Sequence, residues 1–385
     1  MGRIPGRRGG ASGTLNMVEQ VVVGGGLAGL ASAWHLARRG CEVVVLEARE
    51  PGHDGASSHG RARMTRSTYG SPLYVDLVRE ALDRDWPELE AQSGESLIRP
   101  VPAVFFGPPT GLFGAFRRAT LDAGVTDLEE LSPGSARERF PALGIRRTDG
   151  VLLDGTGGVI SADRTIRVLR ERVREAGVEV RTEAPVTGVS RGSRLSLTVG
   201  GEHPGELEAQ RILVCAGACT ARVLPEVSCI VPRRQVVGYA APGDPDAPSV
   251  NWARLDEGLV YGLPAHAGDG AKMAGHRLTG PADDPTVRMP VTHEETLALR
   301  RTLGPALRSV PTLARVETCL YAVTKSEDPV LTQLDDPRIS VLAGLSGHGF
   351  KLGPLLGRIA SRVALGEGSG VAAFDVNRAR FGLRR

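Results

Sequence analysis

Residues 20–23 form a short apolar run that leads straight into Gly24-Gly25-Gly26-Leu27-Ala28-Gly29. The stretch after it, Leu27 to Arg39, places Leu30, Ala31, Trp34 and Ala37 at helical spacing and stops at Gly40. Glu42 to Leu46 then reads as a second buried strand ending at Glu47. Each part has a physical use. Gly24 permits the tight turn, Gly26 lets the backbone approach a pyrophosphate, and Gly29 allows the helix to pack closely on the strand. The helix N-terminus supplies amides for phosphate, and Glu47, about 20 residues on, is placed to accept from ribose hydroxyls. A strand–turn–helix–strand unit of this kind dictates a Rossmann-like α/β fold that binds a dinucleotide, without separating FAD from NAD.

The rest of the chain narrows the class. At 385 residues it exceeds one ordinary core, and no apolar run is long enough to span a bilayer. Arg3, Arg7 and Arg8 lie in residues 1–16, which hold no acidic residue; beyond them 44 basic residues face 44 acidic ones. That balance argues against nucleic-acid or membrane attraction. Residues 1–16 read as a disordered tail, with Met17 as the natural start. Five cysteines, odd in number and irregularly spaced, argue against a disulfide framework and for the cytoplasm. Cys41, Cys215 and Cys219 read as core, and no His or Cys pair completes a metal site around Cys215 and Cys219, so no metal is expected. Only three basic residues are Lys (Lys272, Lys325 and Lys351), against a background of arginine. Residues 53–69 read as a polar loop entering a helix over 72–93. Ala162–Ala176 reads as an amphipathic helix, Ile339–Ala343 as a final buried strand, and Pro354–Leu365 as a helix after Gly344–Gly349.

Four motifs recur in order: His59-Gly60-x-x-Arg63-x-x-Arg66, Lys272-x-x-x-His276, Cys319-Leu320-Tyr321, and Ser346-Gly347-His348-Gly349-Phe350-Lys351. With them the chain resembles the monomeric sarcosine oxidase and N-methyltryptophan oxidase family, collinearly from about Met17 onward. The resemblance implies FAD, joined covalently through Cys319. It implies a cofactor site of Gly24, Gly26, Gly29, Glu47, Arg63, Arg66, Val186, Gly217, Cys319, Gly347, His348, Gly349 and Lys351. Arg66 and Lys351 match the pair that binds the substrate carboxylate, a planar fork and a point charge. Lys272 matches the lysine that promotes oxygen reduction. His276, Tyr261 and Tyr321 match active-site positions, and ordinary packing remains the alternative for each. Arg63 reads equally as a charge beside the flavin or as a structural ion pair, and Lys325 as surface. Trp252 stands where the family has an unbranched apolar residue over the substrate, which would favour a planar or cyclic substrate.

The resemblance further implies an FAD-binding domain from residues 17–98, 159–230 and 325–385, and a mixed-sheet α+β substrate domain inserted at 99–158 and 231–324. The expected activity is oxidation of a C–N bond in a small secondary or cyclic amino acid to an imine, with O2 reduced to H2O2, by a monomer. A sarcosine or N-methyl amino acid demethylating oxidase, or a flavin dehydrogenase using a protein acceptor, is the alternative.

Overall fold

The computed structural model describes residues 17–202, 204–276, 280–282 and 284–375, so the tail expected at residues 1–16 lies outside the described residues. The βαβ unit forms as expected: strand Val18–Val23, helix Leu27–Arg38 and strand Val43–Leu46, with the two strands parallel. Nine of the helix's twelve residues are buried, because it is covered on both sides. Against it runs helix Gly353–Ala364, closely enough that a Cβ at Gly357 would lie 2.5 Å from that of Ala31. Small residues at this crossing bring the two backbones together.

Eight strands make the first sheet. Val186–Arg191, Leu195–Val199, Gly205–Val214, Val18–Val23, Val43–Leu46 and Glu179–Arg181 follow in that order. Ile339–Ala343 pairs in parallel with the end of Gly205–Val214 and carries Val330–Gln333 beside it. Near-continuous Val, Ile and Leu in these central strands fits burial on both faces.

A second sheet of eight strands runs in the order Leu313–Val323, Val231–Ala240, Lys272–Gly275, Leu259–Leu263, Asn251–Leu255, Ala103–Gly107, Gly150–Asp154, Leu128–Leu131. Alternation gives it two faces. One packs on helix His293–Leu303 through Val236, Trp252, Met273, Leu299 and Leu303. The other carries Val237, Tyr239, Ala274 and Cys319 toward the first sheet.

Two elements differ from the sequence expectation. Ala62–Thr65, inside the expected loop, is a strand paired antiparallel with Gly158–Ser161 in a small third sheet. Its partner lies about a hundred residues away, so no local pattern announces it. Pro72–Ser93 is helical, but Ala81–Asp85 forms a π-helical turn within it.

Candidate active site

A cavity of about 1170 Å³ lies between the two large sheets. Ordinary ligand pockets measure about 300–1,000 Å³, so this one has room for a dinucleotide and a small substrate together. The glycine turn forms one end. Gly24 has φ +105°, and a Cβ there would sit 2.5 Å from the Cys215 carbonyl oxygen. A Cβ on Gly29 would lie 1.8 Å from the Gly24 carbonyl oxygen. The turn therefore requires glycine at both positions. Glu47 is engaged by protein: one carboxylate oxygen accepts from Gly25 N–H, the other from Arg49 N–H at 3.2 Å, with His53 Nε2 at 3.6 Å from it. Val186 and Gly217 line the same end, and the open side of Gly217 meets nothing within 4 Å.

Opposite, the segment after Ile339–Ala343 bends into a glycine cradle. Gly344 and Gly347 have φ +71° and +82°, and a Cβ on Gly347 would overlap the Tyr321 ring at 2.1 Å. Ser346 also takes a positive φ of 50°, and its hydroxyl donates to the Gly344 carbonyl at 3.0 Å. His348 Nε2 meets the Glu327 carbonyl at 2.9 Å, while burial, with Lys351 beside it, pulls its imidazole down to about 4. The ring is thus neutral, with Nε2 as donor, which leaves Nδ1 an acceptor.

Arg66, Tyr69 and Lys351 meet on another part of the cavity wall. Strand Ala62–Thr65 ends in a turn locked by Asp154, whose Oδ2 accepts from Ser67 N–H, Thr68 N–H and the Thr68 hydroxyl at 2.9, 2.9 and 2.8 Å. That lock presents Arg66 to the cavity. Its guanidinium lies 4.3 Å over the Tyr69 ring and 5.5 Å from Phe105, and Nε and Nη1 are buried without a partner. Lys351 Nζ donates to the His348 carbonyl at 3.1 Å and stands 5.4 Å over the same tyrosine. Burial drives the lysine pKa down, partly offset by Tyr69. Burial alone would raise the Tyr69 phenol, yet Lys351 and Arg66 outweigh it and the net shift is downward.

Between these ends lie Lys272 and Cys319, on strands flanking Val231–Ala240. Lys272 Nζ donates to the Ala62 carbonyl at 3.4 Å and sits 5.9 Å from the Tyr239 ring centre. Burial, reinforced by Arg63, lowers it to about 7. Burial raises the Cys319 thiol, with Lys272 and Arg63 pulling the other way. Arg63 donates to the carbonyls of Ser57, His59 and Ala62, which makes it the fastener of its own loop as well as a cavity wall. Tyr261 and Tyr321 share a hydroxyl–hydroxyl hydrogen bond of 3.2 Å, and burial raises both phenols. His276 Nε2 faces Glu327 Oε1 at 3.1 Å, and Glu327 itself holds φ +65°.

The sequence-derived residues thus meet in one cavity, except Gly29, which packs behind the turn against Gly24 and Cys215, and Trp252, whose reading is corrected. Trp252 is fully buried on the other face of its strand, among Val236, Met273 and Leu299, and does not reach the cavity. Its neighbour Ala253 lines the cavity instead. A one-position change of parity reverses a strand side chain, so the reading of a crowding indole over the substrate is withdrawn. Lys325 is exposed. Among the described residues no group of three or more His, Cys, Asp or Glu could hold a metal, and no helix is long and apolar enough to cross a membrane. Tyr69, Asp154 and Glu327 were not singled out from sequence. None carried a local signal, since residues 66–69 form a turn and not a helix.

A glycine turn for a pyrophosphate, a glycine cradle opposite and unpaired buried donors between them fit FAD with a substrate beside it. The comparisons agree. Two enterobacterial proteins named N-methyl-L-tryptophan oxidase, from Yersinia pestis (strain Pestoides F) and Yersinia pseudotuberculosis serotype O:1b (strain IP 31758), are each 26% identical over 94% of this chain and 99% of their own length. Among solved structures, NikD, an amino acid oxidase essential for nikkomycin biosynthesis, superposes with TM-score 0.80 at 23% identity, covering 94% of this chain and 96% of its own. L-proline dehydrogenase from P. horikoshii superposes with TM-score 0.78 at 19% identity, covering 96% and 99%. Residues 20–363 match the model of the FAD dependent oxidoreductase (DAO) family, and the chain is a member of that family.

Proposed function

We propose that the chain is an oxidase of a small secondary or cyclic amino acid, with FAD attached through Cys319. The observation that carries this reading is the pairing of Arg66 and Lys351, two buried cations at one cavity wall, with guanidinium nitrogens that still lack partners. Buried charge of one sign calls for an anionic ligand, and the planar fork of Arg66 suits a carboxylate. The relatives' names, N-methyl-L-tryptophan oxidase and amino acid oxidase, are consistent with that class.

Held by the Gly24–Gly29 turn and the Gly344–Gly349 cradle, FAD would supply the two-electron oxidation of the C–N bond to an imine, with O2 as the final acceptor reduced to H2O2. The residues do the rest. Arg66 and Lys351 hold the substrate by its carboxylate, and Tyr261 lines the cavity wall. In the Gly344–Gly349 turn, amides other than those of Ser346 and His348, which donate to the Ala322 and Leu345 carbonyls, would support negative charge on the reduced ring. Lys272 holds its ammonium where charge develops on oxygen. Cys319 lines the cavity; burial raises its thiol, and Lys272 and Arg63 nearby partly offset this toward the thiolate a thioether needs. In this reading the first sheet belongs to an FAD-binding domain of residues 17–98, 159–230 and 325–385. The second belongs to a substrate domain of 99–158 and 231–324. The enzyme acts as a cytoplasmic monomer, consistent with five free cysteines.

Two measurements test this. Acid precipitation of the purified yellow protein leaves the flavin with the pellet; colour wholly in the supernatant, or unchanged retention in Cys319→Ser, rejects the attachment. A peroxide-coupled screen of N-methyl amino acids, proline, pipecolate and their decarboxylated amines gives turnover with the acids only. Anaerobic bleaching by an amino acid without peroxide in air would instead make the chain a dehydrogenase.

A further inference from the structure

Tyr69 is the least satisfied polar side chain at the substrate end. Its hydroxyl is buried beside two cations with no acceptor for its own proton, and Arg66 Nε and Nη1 are buried without a partner. An unsatisfied buried polar group is costly, and three together at one place require a reason. Neighbouring chemistry supplies it. Arg66 and Lys351 carry donors only and cannot accept the phenol's proton. Tyr74, stacked at 5.5 Å, and His348, tilted at 6.0 Å, lie beside the ring. His348 Nδ1 is an acceptor but is itself without a partner, so the phenol proton has no acceptor in this structure.

We propose that Tyr69 is a third ligand of the substrate carboxylate, donating its hydroxyl to the same anion that Arg66 and Lys351 bind. The arrangement is rigid. Arg66 and Lys351 both lie over the Tyr69 ring, Tyr74 backs it, and Tyr74 is itself tied to Asp328 at 2.7 Å. Asp154 fixes the turn between Arg66 and Tyr69, so the guanidinium and the phenol keep their mutual geometry. One carboxylate oxygen can take the arginine fork while the other takes the phenol and the ammonium. A neutral amide fills the same space but offers one acceptor and an N–H that faces donors. Tyr69 thereby becomes a specificity-determining residue, favouring carboxylates over their uncharged isosteres.

This inference rests on the proposed amino-acid oxidase reading, and the test separates the two. Thiophene-2-carboxylate, which has no oxidisable amine, and thiophene-2-carboxamide are titrated into the holoenzyme by calorimetry. The wild type binds the carboxylate more tightly than the amide. Tyr69→Phe weakens carboxylate binding roughly tenfold or more, the size of one hydrogen bond to a charged group, and leaves the amide unchanged. With substrate, KM rises and kcat stays within a few-fold. A wild type that does not discriminate rejects the carboxylate site itself. A wild type that discriminates, with Tyr69→Phe discriminating equally, rejects the role of Tyr69 alone. Should the Phe variant lose its cofactor, Tyr69→His keeps a ring and a donor. A carboxylate-to-amide ratio within about threefold of wild type then supports the assignment, and a ratio near one overturns it.

Discussion

The two ends of the cavity are built on opposite principles. At the glycine turn, the polar groups are met by protein: Gly24 N–H by the Leu46 carbonyl, Gly25 N–H by Glu47, Leu27 N–H by Ser58 at 3.1 Å. Of the buried polar side-chain atoms there, His53 Nδ1 lacks a partner. At the carboxylate end, Arg66 Nε and Nη1, the Tyr69 hydroxyl and His348 Nδ1 all lack one. The first end is a scaffold that exists before its ligand, and the second is held incomplete at an energetic cost that a ligand relieves. Damage at the first should therefore appear as lost stability and lost cofactor. Damage at the second should appear as lost binding or rate in a protein that still folds.

The sharpest way to break this comparison is Gly29→Ala. Its Cβ has no room against the Gly24 carbonyl, and neither backbone can yield without opening the turn. Overpacking of this sort costs about 3 kcal/mol or more, and FAD content falls with it. An unchanged urea midpoint and flavin spectrum would show that the turn is not the rigid scaffold described.

At the reactive centre, Lys272→Met slows reoxidation by O2 about 10²–10³-fold, the effect of removing one preorganised charge, and leaves anaerobic reduction by substrate within a few-fold. The wild-type oxygen rate carries a pH signature. Burial lowers Lys272 to about 7, so its charge is present below that pH and lost above it. Oxygen reactivity therefore falls as pH rises through 7, and the Met variant is flat over the same range. Stopped-flow reoxidation from pH 6 to 9 reads both.

Arg66→Ala raises KM roughly 10- to 100-fold, the range for losing hydrogen bonds to a charged group, with FAD content and thermal midpoint near wild type. Loss of FAD instead would move Arg66 to the scaffold side of the comparison. The smallest effect belongs to Trp252→Phe. The indole Nε1 has no partner to lose, and the ring packs away from the cavity. Stability drops by about 1 kcal/mol and KM is unchanged. A shift in substrate preference would restore Trp252 to the site.

How much of this was legible in sequence follows from how local each feature is. The βαβ unit was legible to within a residue or two, because a turn and its two flanking elements are contiguous and only glycine fits at Gly24 and Gly29. Ile339–Ala343 and its following glycine cradle were legible for the same reason. Strand Ala62–Thr65 was not: its pattern is polar and its partner, Gly158–Ser161, comes from far along the chain. The side on which Trp252 points depends on a strand register set by pairing with Leu259–Leu263 and Ala103–Gly107, and no residue type reveals it.

From the sequence alone came a dinucleotide fold, a reactive lysine standing out among arginines, and a list of residues by resemblance. Only tertiary structure decided that Arg66, Tyr69 and Lys351 share one pocket, that Asp154 locks the turn presenting two of them, and that the indole faces away. Short-range backbone geometry is encoded in the residues that adopt it. Burial, orphaned hydrogen bonds and the pKa shifts they bring belong to no residue until distant segments close around it.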